Sequence, residues 1–515
     1  MKKLNHILCR GAVAVMLCSL LASCDSIMGV DSDYLEMKDN TMGNEGDTLY
    51  SVLGILSQMQ QLADPYMVLG EARADLLSET GSASEWIKQV CNHQQTPDNP
   101  YISVKPYYAV INNCNYLISA IGADSTSNER QNDRAAAIAI RAWTYFQLAI
   151  HYGKVIYLET PLVSVDDMAL VRDAPVYDRI ELANLLLRQL TKIADLPKPL
   201  YGNIGSYDAA YYFPDVRFLQ GELCLWRGDF MGAAANYKKV IENTRNTANY
   251  KLDARLSGTT WLSYINSVNP TETIWKMFFD ATNGNSNSMY DLFASANHAL
   301  QPSVCAMKNW ESQKQVDGTL GDRRASSWAQ NRGTDPMVSK VWSSRFDNPD
   351  LCLYRAALAH LRYAEAINRM NKPTMALCAL NYGLNKTNIA QYVNVNEVST
   401  SPVFNFDNAM YDNCLGVRGR AFANALTIPQ LLTIQDSVDY VENLILKECA
   451  LETAFEGNRW GDCIRIALRK QNPGKYLGDI VAAKYESTGN YAGAARIRNV
   501  LAEEQNWYLP LPKAE

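Results

Sequence analysis

Three carboxylates stand close together near the end of the sequence, Glu452, Glu456 and Asp462, with Arg459 and Arg465 among them. Two carboxylates facing each other across a cleft are what glycoside hydrolysis requires. On a helix, spacings of three and four residues set Glu456 beside Arg459 and Asp462 beside Arg465 on one face. A carboxylate pinned by a guanidinium stays ionised and makes a poor general acid. These residues are therefore expected to be structural, and a helical glycoside hydrolase is the rival of a different class. GTLGDRR at 318–324 does not fit a phosphate loop, and no G-x-S-x-G turn occurs. Within it, Asp322 and Arg323 are expected to form a structural ion pair. Five His without H-E-x-x-H spacing and twelve Cys without C-x-x-C spacing argue against a metal site built by the protein. No cofactor is expected. The one oxygen-rich run that suits a structural Ca²⁺ is Asp347-Asn348-Pro349-Asp350, which matches no motif.

Aromatic residues in polar loops offer a chemistry of recognition. The chain has 29 Tyr and 10 Trp against 12 Phe. Tyr and Trp join an apolar face to a polar handle. A sugar ring presents C–H faces that stack on such rings, while amides read its hydroxyls. Residues 82–101, SASEWIKQVCNHQQTPDNPY, offer Trp86, His93, Gln94 and Tyr101. Residues 280–293, DATNGNSNSMYDLF, offer Asn283, Asn285 and Tyr290. The stretches KNWESQ and SSWAQNR offer Trp310, Trp328 and Arg332. The candidate ligand-binding set is Trp86, Tyr101, Asn285, Tyr290, Trp310 and Trp328. Each aromatic has a competing role as a loop anchor packed on the core. Trp143 and Trp226, inside helical patterns, read as core.

The elements that must hold these residues begin after a targeting segment. Lys2, Lys3 and Arg10 form a positive start, and Gly11 to Leu21 is apolar but too short to span a bilayer. Leu21-Ala22-Ser23-Cys24 resembles a bacterial lipobox. Residues 1–23 are thus expected to be a lipoprotein signal peptide and Cys24 the lipidated N-terminus. Several acyl chains anchor where one does not. Residues 24–47 read as a polar, acidic tether and 48–515 as one domain. No later run of 18 apolar residues occurs, so the membrane is met through the lipid alone. Losing Lys2, Lys3 and Arg10 takes the formal charge from −6 to −9, which argues against nucleic acid. Nine Cys remain after Cys9, Cys18 and Cys24, an odd number. Most sit in apolar helical runs and read as buried small hydrophobes.

Leu49, Val52, Leu53, Leu56, Met59 and Leu62 fall on one helical face. Ala135 to Tyr152 repeats that pattern, with Gly153 as its stop. Residues 209–242 place Gly221, Gly228, Phe230, Ala233, Tyr237 and Val240 as a tetratricopeptide unit does. Residues 355–380 form a second candidate, with small residues Ala364, Ala366 and Ala376 and a turn at 370–373. Segments 108–150 and 440–468 read as degenerate copies. Such units must stack to bury their faces. Between them, 243–350 and 385–425 are rich in Asn, Ser, Gly and Thr with scattered aromatics, and read as long loops with short strands at most. Loops this long in a compact domain are usually functional or disordered, and the aromatics disfavour disorder. The ligand loops are expected within 243–350. The fold class is mostly α, a scaffold of helical hairpins under a loop-rich second layer.

Five stretches then show a shared resemblance. Besides the lipobox, AIAIRAWTYFQLAIHYGKVIYLETPL (137–162), RAALAHLRYAEAINRM (355–370), LETAFEGNRWGDCIRIA (451–467) and NWYLPLPKAE (506–515) resemble, in order, segments of the SusD/RagB family. The resemblance implies a SusD-like fold and a lipoprotein on the outer face of the outer membrane. It implies a SusC-like TonB-dependent β-barrel transporter as partner, and capture of oligosaccharides for it without catalysis. Some members of the family serve peptides, which is the alternative within this fold. The binding loops share no motif, so the resemblance carries over no ligand residue.

Overall fold

Runs with apolar residues three and four apart, bounded by capping side chains, fold as helices in the computed structural model. It describes residues 51–204, 207–245, 248–258, 260–262, 272–279, 286–330, 335–340, 350–430 and 433–510. The longer helices are α1 Val52–Met59, α2 Glu85–Cys91, α3 Lys105–Ile121, α4 Asn128–Tyr152, α5 Arg179–Thr191, α6 Val216–Trp226 and α7 Phe230–Glu242. They continue with α8 Val304–Glu311, α9 Ala356–Arg369, α10 Pro373–Asn381, α11 Ile434–Glu452, α12 Arg459–Ala467, α13 Pro473–Glu486 and α14 Tyr491–Leu501. Several of their first turns are closed by side-chain oxygens. Asp215 accepts from Phe218 N at 2.9 Å to start α6, and Asp229 accepts from Gly232 N at 2.9 Å to start α7. Gly153, at φ +72°, ends α4.

The helices pair as hairpins, α3 with α4, α6 with α7, α9 with α10 and α13 with α14. The α6/α7 pair explains the small residue at 221: a Cβ there would lie 2.7 Å from the Tyr237 ring. That ring meets Phe218 edge-on at 5.5 Å, and its hydroxyl donates to Glu222 at 2.7 Å. Helix α7 then packs on α9 and α9 on α11, so each pair covers the next. The α13/α14 hairpin was not singled out from the sequence. It uses the same device, Gly474 lying where a Cβ would meet Ala502 O at 2.3 Å. The fold is mostly helical, as expected from the spacing.

The described strands pair only in twos. The pairs used below are antiparallel: β1 Leu77–Glu79 with β5 Leu300–Pro302, β4 Thr273–Met277 with β8 Leu351–Arg355, and β6 Trp328–Ala329 with β7 Met337–Val338. Further antiparallel pairs are β2 Lys154–Ile156 with β3 Val176–Asp178 and two two-residue ones, Asn203–Ile204 with Tyr207–Asp208 and Thr244–Arg245 with Ala248–Asn249. The 243–350 segment is less irregular than its composition suggests, since it holds α8 and β4. The described cysteines are all free, and all are buried but Cys305 and Cys352, which are half-buried. No described helix is long and apolar enough to cross a membrane. Residues 1–50, with Cys24 and the tether, lie outside the described residues.

Candidate ligand-binding surface

Glu452, Glu456 and Asp462 are enclosed by guanidinium groups. Glu452 meets Arg324 Nη1 at 2.9 Å, Arg355 Nη1 at 2.8 Å, and Arg420. Burial alone would push its carboxyl up, but Arg420, Arg355 and Arg324 outweigh burial and hold it well below the usual carboxylate range. Glu456 is gripped by Arg355, Nε at 3.0 Å and Nη2 at 2.8 Å, and also pairs with Lys340. The expected Glu456–Arg459 pair does not form. Glu456 lies in the turn between α11 and α12, where helical spacing does not apply. Arg459 instead reaches Asp75 on the N-terminal side of the chain, at 2.7 and 2.8 Å. Asp462 and Arg465 do pair, at 3.1 Å within α12, and Asp462 also takes Arg362 at 2.6 Å.

Asp322 likewise differs from its expected pairing. It caps a 3₁₀ turn by accepting from Arg324 N, and the side chain of Arg324, not Arg323, returns to it at 2.8 Å. Arg323 lies over the Phe422 ring at 4.2 Å. All these carboxylates are buried, and each is paired with at least one guanidinium. Among the described residues no group of His, Cys, Asp and Glu could hold a metal ion. Of the proposed Ca²⁺ run, 347–349 lie outside the described residues. Asp350 is committed, one oxygen to Lys276 Nζ at 2.8 Å and the other to Phe279 N at 3.0 Å.

The aromatic loops meet through short pairings. β1 joins β5, and Thr80 continues the contact: its N–H donates to Ala299 O and its hydroxyl to His298 O at 2.6 Å. His298 Nε2 lies 3.0 Å from Pro336 O, and β7 lies beside β5. Ser288 N donates to the Asp64 carboxylate at 3.1 Å. These contacts bring β1 with the α2 that packs on it, the 286–298 segment and the β6/β7 pair alongside β5. Trp86 on α2, Tyr101, Tyr290 and Trp328 are all half-buried. Tyr101 and Trp328 lean on the main core, and the Trp328 indole N–H has no partner among the described residues. Asn99 stiffens the first loop, its amide donating to Trp86 O at 2.9 Å and Gln89 Oε1 at 3.0 Å.

Trp310 departs from this group. It is 0% exposed on α8, its indole donates to Leu451 O at 3.2 Å, and its ring packs on Phe455 at 5.7 Å. It is a core anchor and offers no face to a ligand. Its sequence surroundings resemble those of Trp328; what separates them is that α8 turns Trp310 inward. His93 is turned toward the protein, with Nε2 2.8 Å from Arg73 O. Trp143 and Trp226 are buried, as their helical patterns suggested. Asn283, Asn285 and Arg332 lie outside the described residues.

Two open clefts escaped sequence reasoning. One, of about 920 Å³, runs between Lys154, Arg179 and Tyr508. The other, of about 800 Å³, lies between Tyr382, Tyr392, Asn413 and Phe422. The only local signal for the second was a tyrosine near each end of an Asn-rich stretch, NYGLNKTNIAQY at 381–392.

A profile of the SusD family matches residues 201–515, more than half of the sequence. The chain belongs to the SusD family. A second profile, described as starch-binding associating with outer membrane, matches residues 33–184 of this SusD-family chain. The SusD-like protein P38 of Formosa agariphila is 22% identical over 511 residues, covering 90% of this chain and 92% of its own. A SusD superfamily protein from Bacteroides vulgatus superposes with a TM-score of 0.60 at 16% identity, covering 86% of this chain and 93% of that one. Surface glycan-binding protein A from Bacteroides uniformis gives 0.57 at 16% identity, covering 83% and 90%. A SusD-like carbohydrate-binding protein from Bacteroides fragilis gives 0.56 at 17% identity, covering 77% and 79%. The three structures attest to a shared fold.

Proposed function

We propose that this chain is a surface lipoprotein that captures oligosaccharides and delivers them to a SusC-like TonB-dependent β-barrel transporter. What supports the reading is that Trp86, Tyr101, Tyr290 and Trp328 are each half-buried, on segments whose strands and turns pair with one another. Half-buried rings are fixed by the core yet keep a face for a sugar. Asn285 joins them as a proposed hydrogen-bonding residue. The names of relatives, surface glycan-binding and carbohydrate-binding among them, support a glycan as the ligand class. The profile description supports the outer membrane as the location. Cys24 is the proposed lipidation site, with 24–47 as the tether and the body facing outward.

Binding proceeds by stacking and hydrogen bonding, without catalysis. The carboxylates that most resemble a hydrolytic pair are each held by arginines. Ordering a flexible oligomer offsets part of the contact energy, so dissociation constants of roughly micromolar to millimolar are expected. The test is calorimetric titration of the full chain in detergent micelles with oligosaccharide panels and a peptide digest. Heat with a glycan that weakens about tenfold or more in W86A or Y290A supports the reading. Heat with peptides alone refutes it.

A further inference from the structure

We propose that the cleft between Tyr382, Tyr392, Asn413 and Phe422 is a second carbohydrate site, taking a pyranose unit of a neutral glycan chain. It goes beyond the loop-face reading, because no residue of that face lines it. The cleft has a platform, a rigid frame and a polar rim, and different residues supply each.

The platform is a pair of tyrosines. Tyr382 and Tyr392 stack at 3.7 Å between centroids and 14° between planes. Tyr382 is half-buried against the main core, while Tyr392 is 39% exposed. The inner ring therefore backs the outer one, and the outer face of Tyr392 is left to solvent. A flat, backed aromatic face matches the C–H face of a pyranose in size and polarity.

The frame is built by glycines and by amides whose bonding is internal. At Gly383, Gly416 and Gly419 a Cβ would come within 2.4 Å of Cys414 O, 2.1 Å of Leu380 O and 2.2 Å of Asn381 O. These close approaches seat the 414–419 backbone against the end of α10. Asn381 closes on Leu426 from both sides, donating to its carbonyl at 2.8 Å and accepting from its N–H at 2.9 Å. Asn388 donates to Tyr382 O at 2.8 Å and Gly383 O at 3.0 Å, tying one tyrosine's strand of chain to the other's helix. Such a site is preformed, which lowers the ordering cost of binding.

The rim is different in kind. The side chains of Thr387, Asp412 and Asn413 and the guanidinium of Arg255 line the cleft or its mouth, are exposed, and take no hydrogen-bond partner among the described residues. Asn413 and Phe422 both hold left-handed backbone, at φ +63°. For a bulky residue such as Phe this is strained, and strain of that kind collects at binding sites. Phe422 is held there with Arg323 over its ring at 4.2 Å and Arg255 at 5.5 Å. Of the charged side chains that line the cleft itself, one is a guanidinium, Arg255, and one a carboxylate, Asp412, so the cleft favours an uncharged ligand over an acidic or phosphorylated one. A volume of about 800 Å³ falls in the range of small-ligand sites. The rim donors and acceptors suit hydroxyls, which both donate and accept.

The test titrates the full chain in detergent micelles with maltoheptaose, cellohexaose, xylohexaose and mannohexaose. Four proteins are compared: wild type, the loop-face double variant W86A/Y290A, Y392A, and the triple variant. The expected result is residual binding of one probe in the double variant, weakened about tenfold or lost in the triple. Y392F, which keeps the stack, retains it. N413G keeps the left-handed backbone while deleting an amide, and weakens the residual binding several-fold even if Y392A fails to fold. Binding unchanged by Y392A and N413G in both backgrounds overturns the second site. If W86A/Y290A alone abolishes binding, the second site fails while the loop-face function stands. Absence of heat with every probe in the wild type overturns both.

Discussion

Glu71 is a buried carboxylate without an ion-pair partner among the described residues. It accepts backbone N–H groups from Phe455 at 3.2 Å, Asn458 at 3.0 Å and Arg459 at 3.4 Å, at the start of α12. Burial outweighs these donors and pushes its carboxyl up to about 7. The folded chain then holds this proton more tightly than the unfolded one does. Its contribution is fully present below the unfolded value of 4.5 and is lost as pH rises to about 7, a loss of roughly 3 kcal/mol. Urea midpoints should fall across that window in the wild type and flatten in E71Q; a flat wild-type profile refutes the assignment. Glu452 and Glu365 have the opposite sign. Guanidinium groups hold both below the usual range, so their contribution is present above 4.5 and lost in acid. Removing the Glu452 charge leaves Arg324, Arg355 and Arg420 short of a partner. E452Q should lower unfolding stability by about 3–5 kcal/mol in denaturant titrations.

At the scale of elements, the hairpins depend on small residues where helices touch. Gly221 in α6 faces the Tyr237 ring, and that tyrosine also satisfies Glu222. A helix-interior Gly→Ala change usually stabilises a helix slightly. Here the methyl meets a ring at 2.7 Å, so G221A should lower the melting stability by about 1–3 kcal/mol. A rise in melting temperature would show that α6 and α7 are free to separate. The 209–242 unit was legible because its small and large residues recur at repeat spacing. The hairpin of α13 and α14 was not, although Gly474 and Gly478 serve it in the same way. Strand pairings such as β1 with β5 escaped as well. Each has three residues, too few for a period, and its partner lies more than two hundred residues away.

Across the whole molecule, two tryptophans of the candidate ligand-binding set, Trp86 and Trp310, part company. W310A should cost about 3–5 kcal/mol of stability, since it empties a buried site, and should leave glycan affinity of the folded protein unchanged. W86A should do the reverse, weakening the glycan while the melting temperature stays within a degree or two. Denaturant titration and calorimetry on both variants check this. If both variants change stability alone, the loop face is only structural. C24S should abolish incorporation of labelled palmitate and release the chain from the membrane fraction; retention would mean the anchor lies elsewhere.

The helical faces of α1 and α4, the burial of Trp143 and Trp226 and the Asp462–Arg465 pair were determined by the sequence itself, because each rests on neighbours three or four residues apart. The tertiary structure alone decided the rest. Arg355 finds Glu456 across 101 positions, Arg324 finds Glu452 across 128, and Arg459 finds Asp75 across 384. It also turned Trp310 inward, kept Trp328 at the surface, and closed a cleft around Tyr382 and Tyr392. Residue type sets what a side chain can do. Which of many equivalent partners it meets depends on how distant helices stack, and no local period encodes that.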